Sequence, residues 1–193
     1  MDKLFLAAIQ DETIGLEYFN HTGVGKINAA YNTLRLISLH KPKMVINYGT
    51  AGAINNKLKG VVECTKFFQR DMDVRGLHFE LGETPYDTIK EITTSEDGYS
   101  CGTGDSFVNK KIEMKVDVVD MEAYAIAKVC RLENLDFRCF KYISDNADEN
   151  SSNDWNQNLK LGAKAFSVFI LNKFWSRWGH NSLCVQGKGV KND

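Results

Sequence analysis

Residues 27–52, INAAYNTLRLISLHKPKMVINYGTAG, indicate the fold class of the chain. Apolar residues recur at helical spacing up to about Leu39, which predicts an amphipathic helix. Its apolar positions are Ile27, Ala30, Tyr31, Leu34 and Ile37. Lys41-Pro42 ends the helix because proline cannot continue it. Residues 44–47 then form an apolar run typical of a buried strand, and residues 48–52 follow as a glycine turn.

The alternation of helix and strand extends over the rest of the chain. Further strands are predicted over residues 4–9, 61–68, 77–81, 99–101, 116–121 and 137–143, and further helices over 122–132 and about 153–175. Strands that alternate with helices favour a mostly parallel sheet with helices on both sides. We therefore expect one α/β domain over residues 1–175, built as three layers around a central mixed, mostly parallel sheet, and a C-terminal tail over residues 176–193.

Composition and charge limit the classes of protein and partner. The 193 residues are 43% hydrophobic and 25% charged, which is the balance of a globular domain able to bury a core. The formal net charge of −1, without a basic face, argues against a nucleic-acid partner. No apolar run approaches the roughly 20 residues that span a membrane, so no membrane partner is expected. Five cysteines without a CxxC pair and four histidines without metal-ligand spacing favour reduced thiols, a cytoplasmic protein and no metal.

Polar residues follow four of the predicted strands. These residues are Glu12, Thr50, Glu122 and Asp145. Ligands of parallel sheets collect at the carboxyl ends of the strands, so we expect the four side chains to lie close together. From the residues alone, Glu122 and Asp145 also fit helix caps or turns, where an acidic side chain serves structure only. The functional alternative is that Glu122 accepts hydrogen bonds from two sugar hydroxyls and that Asp145 gives a proton to a leaving group.

Six segments in this order resemble the purine nucleoside phosphorylase superfamily, and most closely its 5'-methylthioadenosine/S-adenosylhomocysteine nucleosidase branch. The segments are AIQDE (8–12), TGVGKINAA (22–30), VINYGTAG (45–52), GDSFV (104–108), VVDMEA (118–123) and ISDNAD (143–148). The resemblance covers about residues 4–172 and implies a nucleoside phosphorylase/hydrolase-like fold, cleavage of the N-glycosidic bond of a purine nucleoside, no cofactor and a homodimer. The chain is shortened between Glu12 and His21, and Lys141 stands in place of an arginine. These departures leave the identity of the 5' substituent open.

The resemblance implies two catalytic residues. Glu12 would help to activate a water that attacks C1' of the ribose, and Asp145 would donate a proton toward N7 of the purine, which makes the base a better leaving group. Glycosidases solve a similar problem of developing positive charge on the sugar with two carboxyl groups, one acid and one base. Ser144, which precedes Asp145, is expected to contact the substrate.

The resemblance also implies the remaining substrate-binding residues. Glu122, with Met121 beside it, would bind the 2' and 3' hydroxyls of the ribose. Phe107 would stack on the purine, and the backbone of Val108 would hydrogen-bond to the edge of the base. Thr50 takes the position of a serine near the ribose and the nucleophile.

Water is favoured over phosphate as the acceptor of the ribosyl group. Phosphorylases of this superfamily hold phosphate with arginines, one of them shortly before the glycine turn, whereas residues 44–48 contain no basic residue and the first strand lacks a glycine-rich phosphate loop. Two alternatives stay open: a phosphorylase with a remodelled phosphate site, and a nucleoside-binding protein without turnover. The shortened segment beside Glu12 favours the second alternative, and the presence of Glu12 together with Glu122 and Asp145 argues against it.

Overall fold

The computed structural model describes residues 2–170. Within this range the chain forms eight strands and three α-helices. The strands are β1 (Lys3–Ala7), β2 (Asn20–His21), β3 (Met44–Ala53), β4 (Val61–Gln69), β5 (Ile92–Thr93), β6 (Tyr99–Thr103), β7 (Val118–Asp120) and β8 (Asp136–Asp145), and the helices are α1 (Lys26–His40), α2 (Ala123–Leu132) and α3 (Ser151–Ile170). The predicted boundary at residue 175 and the predicted tail lie outside the described residues.

The strands form one mixed sheet that closes on itself. Five strands pair in a ring, because β8 joins β3 to β4 while β7 and β6 connect the other edges of the same two strands. β1 and β2 extend the sheet from β3, and β5 extends it from β4. Five of the eight pairings are parallel, so the predicted mixed, mostly parallel α/β sheet is confirmed. The prediction that the sheet forms the middle of three layers is wrong, because the sheet closes into a barrel.

Closure depends on the length of β3 and β8, which have ten residues each. The sequence predicts shorter strands here because Gly49 and Gly52 are typical of a turn. In the structure both glycines lie inside β3, which stays in register with β8 up to a bulge between Ala51 and Gly52. Thr50 consequently lies within a strand and not after one, which corrects the prediction for that residue.

The helices pack on the barrel in two groups. α1 and α2 pack against each other and α2 packs on β6 and β8, whereas α3 packs on β8 and on the 3-10 turn Gln10–Thr13. Under α3, Phe166 stacks on Tyr48 of β3 with ring centroids 4.0 Å apart. A Cβ at Gly162 would lie 2.7 Å from the hydroxyl of Tyr48, so glycine permits this close approach of α3 to β3. α3 is therefore held against the strand that carries Thr50.

The predicted helix at residues 27–39 is confirmed as α1, but three of its five predicted apolar positions face outward, while Ala30 and Ile37 pack on the core. Ile27, Tyr31 and Leu34 are 82%, 67% and 44% exposed. The buried positions of α1 are Ala29, Thr33, Leu36 and Ile37. The small side chains of Ala29 and Thr33 on this inner face let α1 approach α2, whose own inner residues include several alanines. Periodicity alone therefore identified the helix but only part of the face that packs.

One predicted strand is absent from the described residues. Residues 77–81 contain no strand, because the chain forms a 3-10 turn at Arg75–Leu77 and His78 follows in the left-handed region with φ 65°. Leu77 is 65% exposed, so no neighbouring strand buries its side chain. The described range also contains no helix with the length and apolar character of a membrane-crossing segment.

Candidate active site

A cavity of about 410 Å³ lies where β3, β7 and β8 end. Its volume falls in the range of about 300–1,000 Å³ that is usual for small-molecule sites. The predicted catalytic and substrate-binding residues all line it. They are Glu12, Thr50, Phe107, Val108, Met121, Glu122, Ser144 and Asp145. Residues that are up to 133 positions apart, such as Glu12 and Asp145, are thus brought to one cavity.

Glu12 is held by the backbone and the hydroxyl of Thr50. It lies in the 3-10 turn that follows β1 and is only 5% exposed. Its Oε1 accepts one hydrogen bond from the Thr50 N–H and another from the Thr50 Oγ1, each 2.7 Å long. A Cβ at Gly49 would lie 3.3 Å from Oε1, so the glycine gives the carboxyl room beside β3. Among the described residues the buried Oε2 of Glu12 has no hydrogen-bond partner.

Glu122 does not cap α2, because its neighbour Asp120 does. The Oδ2 of Asp120 accepts the N–H of Ala123 at 2.7 Å and the N–H of Glu122 at 3.2 Å. The Glu122 carboxyl instead accepts the N–H of Gly25, 97 residues away in the sequence, at 2.9 Å. The capping alternative therefore applies to Asp120, and the Glu122 side chain is left to face the cavity.

The ionisation of Glu122 is set by burial and by its neighbours. The side chain is 8% exposed, and burial together with the negative charge of Asp120 raises the pKa of Glu122 to about 8. The nearby Lys141 ammonium opposes this rise, and so does the hydrogen bond from Gly25. At neutral pH Glu122 is therefore mostly protonated and can donate one hydrogen bond as well as accept others.

Asp120 and Lys141 form a buried ion pair behind the cavity. Lys141 Nζ lies 2.8 Å from Asp120 Oδ2. Burial alone would raise the pKa of Asp120, but the Lys141 charge and the hydrogen bonds from Lys141, Thr103 and the Ala123 N–H together hold this pKa below its usual value. The same attraction raises the pKa of Lys141 although burial would lower it. Both groups are therefore charged at neutral pH.

Asp145 ends β8 and is 6% exposed. Its Oδ1 accepts the N–H of Ala147 at 2.9 Å, and its Oδ2 accepts the hydroxyl of Ser144 at 2.8 Å. A Cβ at Gly52 would lie 2.7 Å from Oδ1, so the glycine of β3 is what lets this carboxyl stand beside the barrel wall. Asp145 thus accepts a hydrogen bond within a turn, as the alternative of a purely structural role predicts. The same carboxyl also faces the cavity.

Phe107 and Val108 belong to the loop that follows β6. Phe107 is 45% exposed and lines the cavity, whereas Val108 is buried in a small hydrophobic cluster. The guanidinium of Arg70 donates hydrogen bonds to Gly104 O and to Ser106 Oγ, each 3.2 Å long. Arg70 thereby fixes the start of this loop, and the sequence patterns did not single it out.

Trp155 is a further cavity residue that the sequence analysis missed. It lies in α3 and donates a hydrogen bond from Nε1 to Thr50 Oγ1 over 2.9 Å. Trp155 lies four residues before the buried Leu159, on the apolar face of α3. This helical spacing was the signal in the sequence that could have placed Trp155 against the body of the protein. Ser152 and Asn156 of the same helix also line the cavity.

Carboxyl groups dominate the charged lining of the cavity. Among its described lining residues four are carboxylic acids, Glu12, Asp120, Glu122 and Asp145, and the one basic side chain is Arg70, which donates to Gly104 and Ser106. Within residues 2–170 no group of three His, Cys, Asp or Glu side chains is arranged to hold a metal ion. A carboxylate in such a lining can stabilise positive charge that develops on a bound ligand.

Comparison with known proteins identifies the family. A family model described as "Phosphorylase superfamily" matches residues 19–100 and 92–172. The 5'-methylthioadenosine/S-adenosylhomocysteine nucleosidase of Haemophilus influenzae (strain PittEE) is 34% identical over 177 residues, and that of Bacillus subtilis (strain 168) is 33% identical over 177 residues; each alignment covers 78% of this chain and 77% of the relative.

Solved structures show the same fold. Futalosine hydrolase of Helicobacter pylori superposes with a TM-score of 0.80 at 23% identity, covering 87% of this chain and 94% of that chain. A nucleosidase from Colwellia psychrerythraea in complex with adenine gives a TM-score of 0.80 at 21% identity, covering 89% and 93%. Since the family model matches most of its length and nucleosidases a third identical to it align over more than three quarters of it, this chain belongs to the phosphorylase superfamily, in the branch of the 5'-methylthioadenosine/S-adenosylhomocysteine nucleosidases.

Proposed function

We propose that this chain hydrolyses the N-glycosidic bond of a purine nucleoside of the methylthioadenosine or S-adenosylhomocysteine kind, releasing the free base and a ribose derivative. The observation that carries this proposal is the convergence of Glu12, Glu122 and Asp145 on one cavity of nucleoside size. The nucleosidase relatives support the choice of substrate class.

The two ends of the breaking bond need opposite stabilisation. As the bond lengthens, positive charge develops on the ribose and negative charge on the base. In the proposed arrangement Asp145 donates a proton toward N7 of the purine, and its Oδ2 is kept in place by the Ser144 hydroxyl. Glu12 accepts a proton from the attacking water through Oε2, because Oε1 already accepts two hydrogen bonds from Thr50.

The remaining predicted residues would orient the nucleoside. Glu122 would bind the 2' and 3' hydroxyls of the ribose, with Met121 next to it at the same wall of the cavity. Phe107 would stack on the purine, since its ring is partly exposed at the cavity, and Val108 would offer its backbone to the edge of the base. Binding of this kind needs no metal or organic cofactor.

Water is the better acceptor than phosphate on electrostatic grounds. A phosphate dianion placed beside the Glu12 carboxylate would be repelled, and the Lys141 ammonium is paired with Asp120. Among the described lining residues, only the Arg70 guanidinium could attract phosphate, and it donates hydrogen bonds to the loop that carries Phe107. Phosphate is therefore a poorer acceptor than water in this cavity.

The assembly and compartment are proposed on separate grounds. An exposed apolar stripe on α1, formed by Ile27, Tyr31 and Leu34, supports a homodimer, because monomers rarely leave such a patch uncovered. The described cysteines are free and buried, which supports a reducing cytoplasmic compartment. The family match that extends to residue 172 supports a single domain ending near residue 175.

The test is release of free base. Purified protein is incubated with methylthioadenosine, S-adenosylhomocysteine, adenosine and inosine, with and without phosphate, and the base is followed by chromatography. We expect release without phosphate that Glu12→Gln and Asp145→Asn each reduce at least 100-fold, a loss within the range of general acid–base catalysis of about 10²–10⁴. Asp11→Asn and Asp148→Asn, exposed neighbours outside the cavity, are matched controls and should keep full activity. Release only with phosphate would overturn the hydrolase, and no release from any nucleoside would favour binding without turnover.

A further inference from the structure

We infer that Trp155 is a positioning residue that commits the Thr50 hydroxyl to Glu12 and so keeps one oxygen of that carboxylate available for the attacking water. This inference rests on the proposed function, because it assigns a role within the same reaction. It goes beyond that proposal by assigning a task to a helix residue that no sequence motif includes. The one observation behind it is a chain of hydrogen bonds that runs from α3 through β3 to Glu12.

The direction of each hydrogen bond follows from the chemistry of the groups. An indole Nε1–H can only donate, so the 2.9 Å contact makes Thr50 Oγ1 the acceptor. The hydroxyl has one proton of its own, and its second contact, 2.7 Å long, is with Glu12 Oε1. That proton therefore points to Glu12. Trp155 thus selects the orientation of the Thr50 hydroxyl without touching the carboxylate itself.

The consequence for Glu12 is an asymmetric carboxylate. Oε1 accepts two hydrogen bonds, both from Thr50, whereas Oε2 is buried and has no partner among the described residues. An oxygen that already accepts two donors is a poorer base than its free partner, since each hydrogen bond stabilises the negative charge on the atom that accepts it. The proton from water is therefore expected to go to Oε2.

Trp155 can hold this arrangement because α3 is packed tightly on β3. The stacking of Phe166 on Tyr48 and the close approach at Gly162 fix the helix to the strand, and Tyr48 is two residues before Thr50. The donor and the acceptor are therefore placed before substrate binds. Donors that are already in place cost no reorganisation when charge moves in the transition state.

A residue that acts in this way should affect the chemical step more than binding. The Thr50 hydroxyl would otherwise rotate among partners, including bound substrate or water, and Glu12 would lose part of its fixed orientation. Loss of the indole N–H should therefore lower kcat and leave KM nearly unchanged, whereas loss of packing alone would change the stability of the protein or the shape of the cavity.

Trp155→Phe tests this inference, because it keeps an aromatic ring and removes the N–H. On the nucleoside that the wild type cleaves fastest, we expect kcat to fall roughly three- to tenfold, the usual cost of one neutral hydrogen bond, with KM within about twofold. Thr50→Val removes the hydroxyl, and the double variant should be no slower than Thr50→Val alone, because Trp155 acts through that hydroxyl. Thr50→Ser keeps a hydroxyl, so adding Trp155→Phe to it should again cost the same factor. Thermal unfolding checks that every variant is folded.

The outcomes separate this inference from the proposed function. If the wild type releases base but Trp155→Phe has the wild-type kcat, the positioning role is wrong and the hydrolase proposal stands. Effects of Trp155→Phe and Thr50→Val that multiply in the double variant would also overturn it, because they would show that the two side chains act separately. If the wild type releases no base from any nucleoside, the proposed function fails and the positioning role fails with it.

Discussion

Lys141 donates a hydrogen bond to Asp120 over 2.8 Å inside the barrel, where the two side chains are only 2% and 1% exposed. Burial raises the pKa of Glu122, the charge of Asp120 raises it further and the charge of Lys141 lowers it, so the pair contributes to the ionisation of a residue that faces the cavity. Asp120 also caps α2 through the N–H of Ala123. One buried carboxylate thus links the stability of the fold with the electrostatics of the site.

Removal of the Lys141 charge should destabilise the protein strongly. Lys141→Met keeps a long side chain but leaves Asp120 charged, buried and without its cation, which costs about 3–5 kcal/mol in free energy of unfolding. Denaturant unfolding measures this cost. Lys128→Met is the matched control, because the ion pair of Lys128 with Asp87 is partly exposed and such pairs contribute at most about 1 kcal/mol. Equal losses in the two variants would contradict the structural importance of the buried pair.

Glu122 should make stability depend on pH. Its pKa is 4.5 in the unfolded chain and about 8 in the folded protein, so between these values the folded state holds a proton that the unfolded state has released. Its contribution to stability is therefore complete below about pH 4.5 and is lost as the pH rises through about 8.

Glu122→Gln removes this titration, so the gain in Tm of the variant over the wild type should be larger at pH 9 than at pH 5. Each kcal/mol corresponds to about 2–4 °C for a domain of this size, which differential scanning calorimetry resolves easily. Glu149→Gln removes an exposed carboxyl and should show no such difference. A gain in Tm that is the same at both pH values would mean that Glu122 is not desolvated as described.

Much of the fold follows from local sequence signals, and the errors have a physical cause. The helix predicted from about residue 153 is found as α3, which buries the regularly spaced Leu159, Phe166 and Ile170. The predicted apolar positions of α1 were right only in part, since Ile37 is buried while Ile27 and Tyr31 are exposed. A period of 3.6 residues marks a helix, whereas the choice of inner face depends on how closely the neighbouring helix approaches. Barrel closure also escaped prediction, since it depends on which edges pair over long sequence distances and not on the composition of any one strand.

The residues of the candidate site were predictable where a motif carries them, and the contacts between them were not. All eight predicted residues line one cavity, while their roles stay predictions. Asp120 and Glu122 are both acidic and two positions apart, so only the structure distinguishes the capping residue from the one that faces the cavity. The hydrogen bond from Trp155 to Thr50 joins residues 105 positions apart, a separation at which a single sequence carries no signal.

Gly52 should be essential for the placement of Asp145. In Gly52→Ala the new Cβ would lie 2.7 Å from Asp145 Oδ1 and 3.1 Å from the Cβ of Ala147, so the carboxyl has to move. A shift of about 1 Å in a catalytic group can cost about 100-fold in rate, and we expect kcat/KM to fall by roughly that factor. Gly76→Ala is the control, because nothing lies within 4 Å of its added Cβ. Full activity of Gly52→Ala would show that the position of Asp145 is not critical.

The exposed stripe of α1 should mediate self-association. Ile27→Glu and Tyr31→Glu each place a charge on the stripe, which costs free energy if a second copy covers it, so the dimer should dissociate to monomers in light scattering at micromolar concentration. Leu161→Glu changes an exposed apolar residue of α3, outside the stripe, and should leave the mass unchanged. Val24 precedes α1, lines the cavity and is 46% exposed. A second copy bound to the stripe would therefore also border the cavity. Dissociation of the dimer should then raise KM. A wild type that is monomeric under the same conditions would rule out this interface, and unchanged KM in a dissociated variant would separate the dimer from the site.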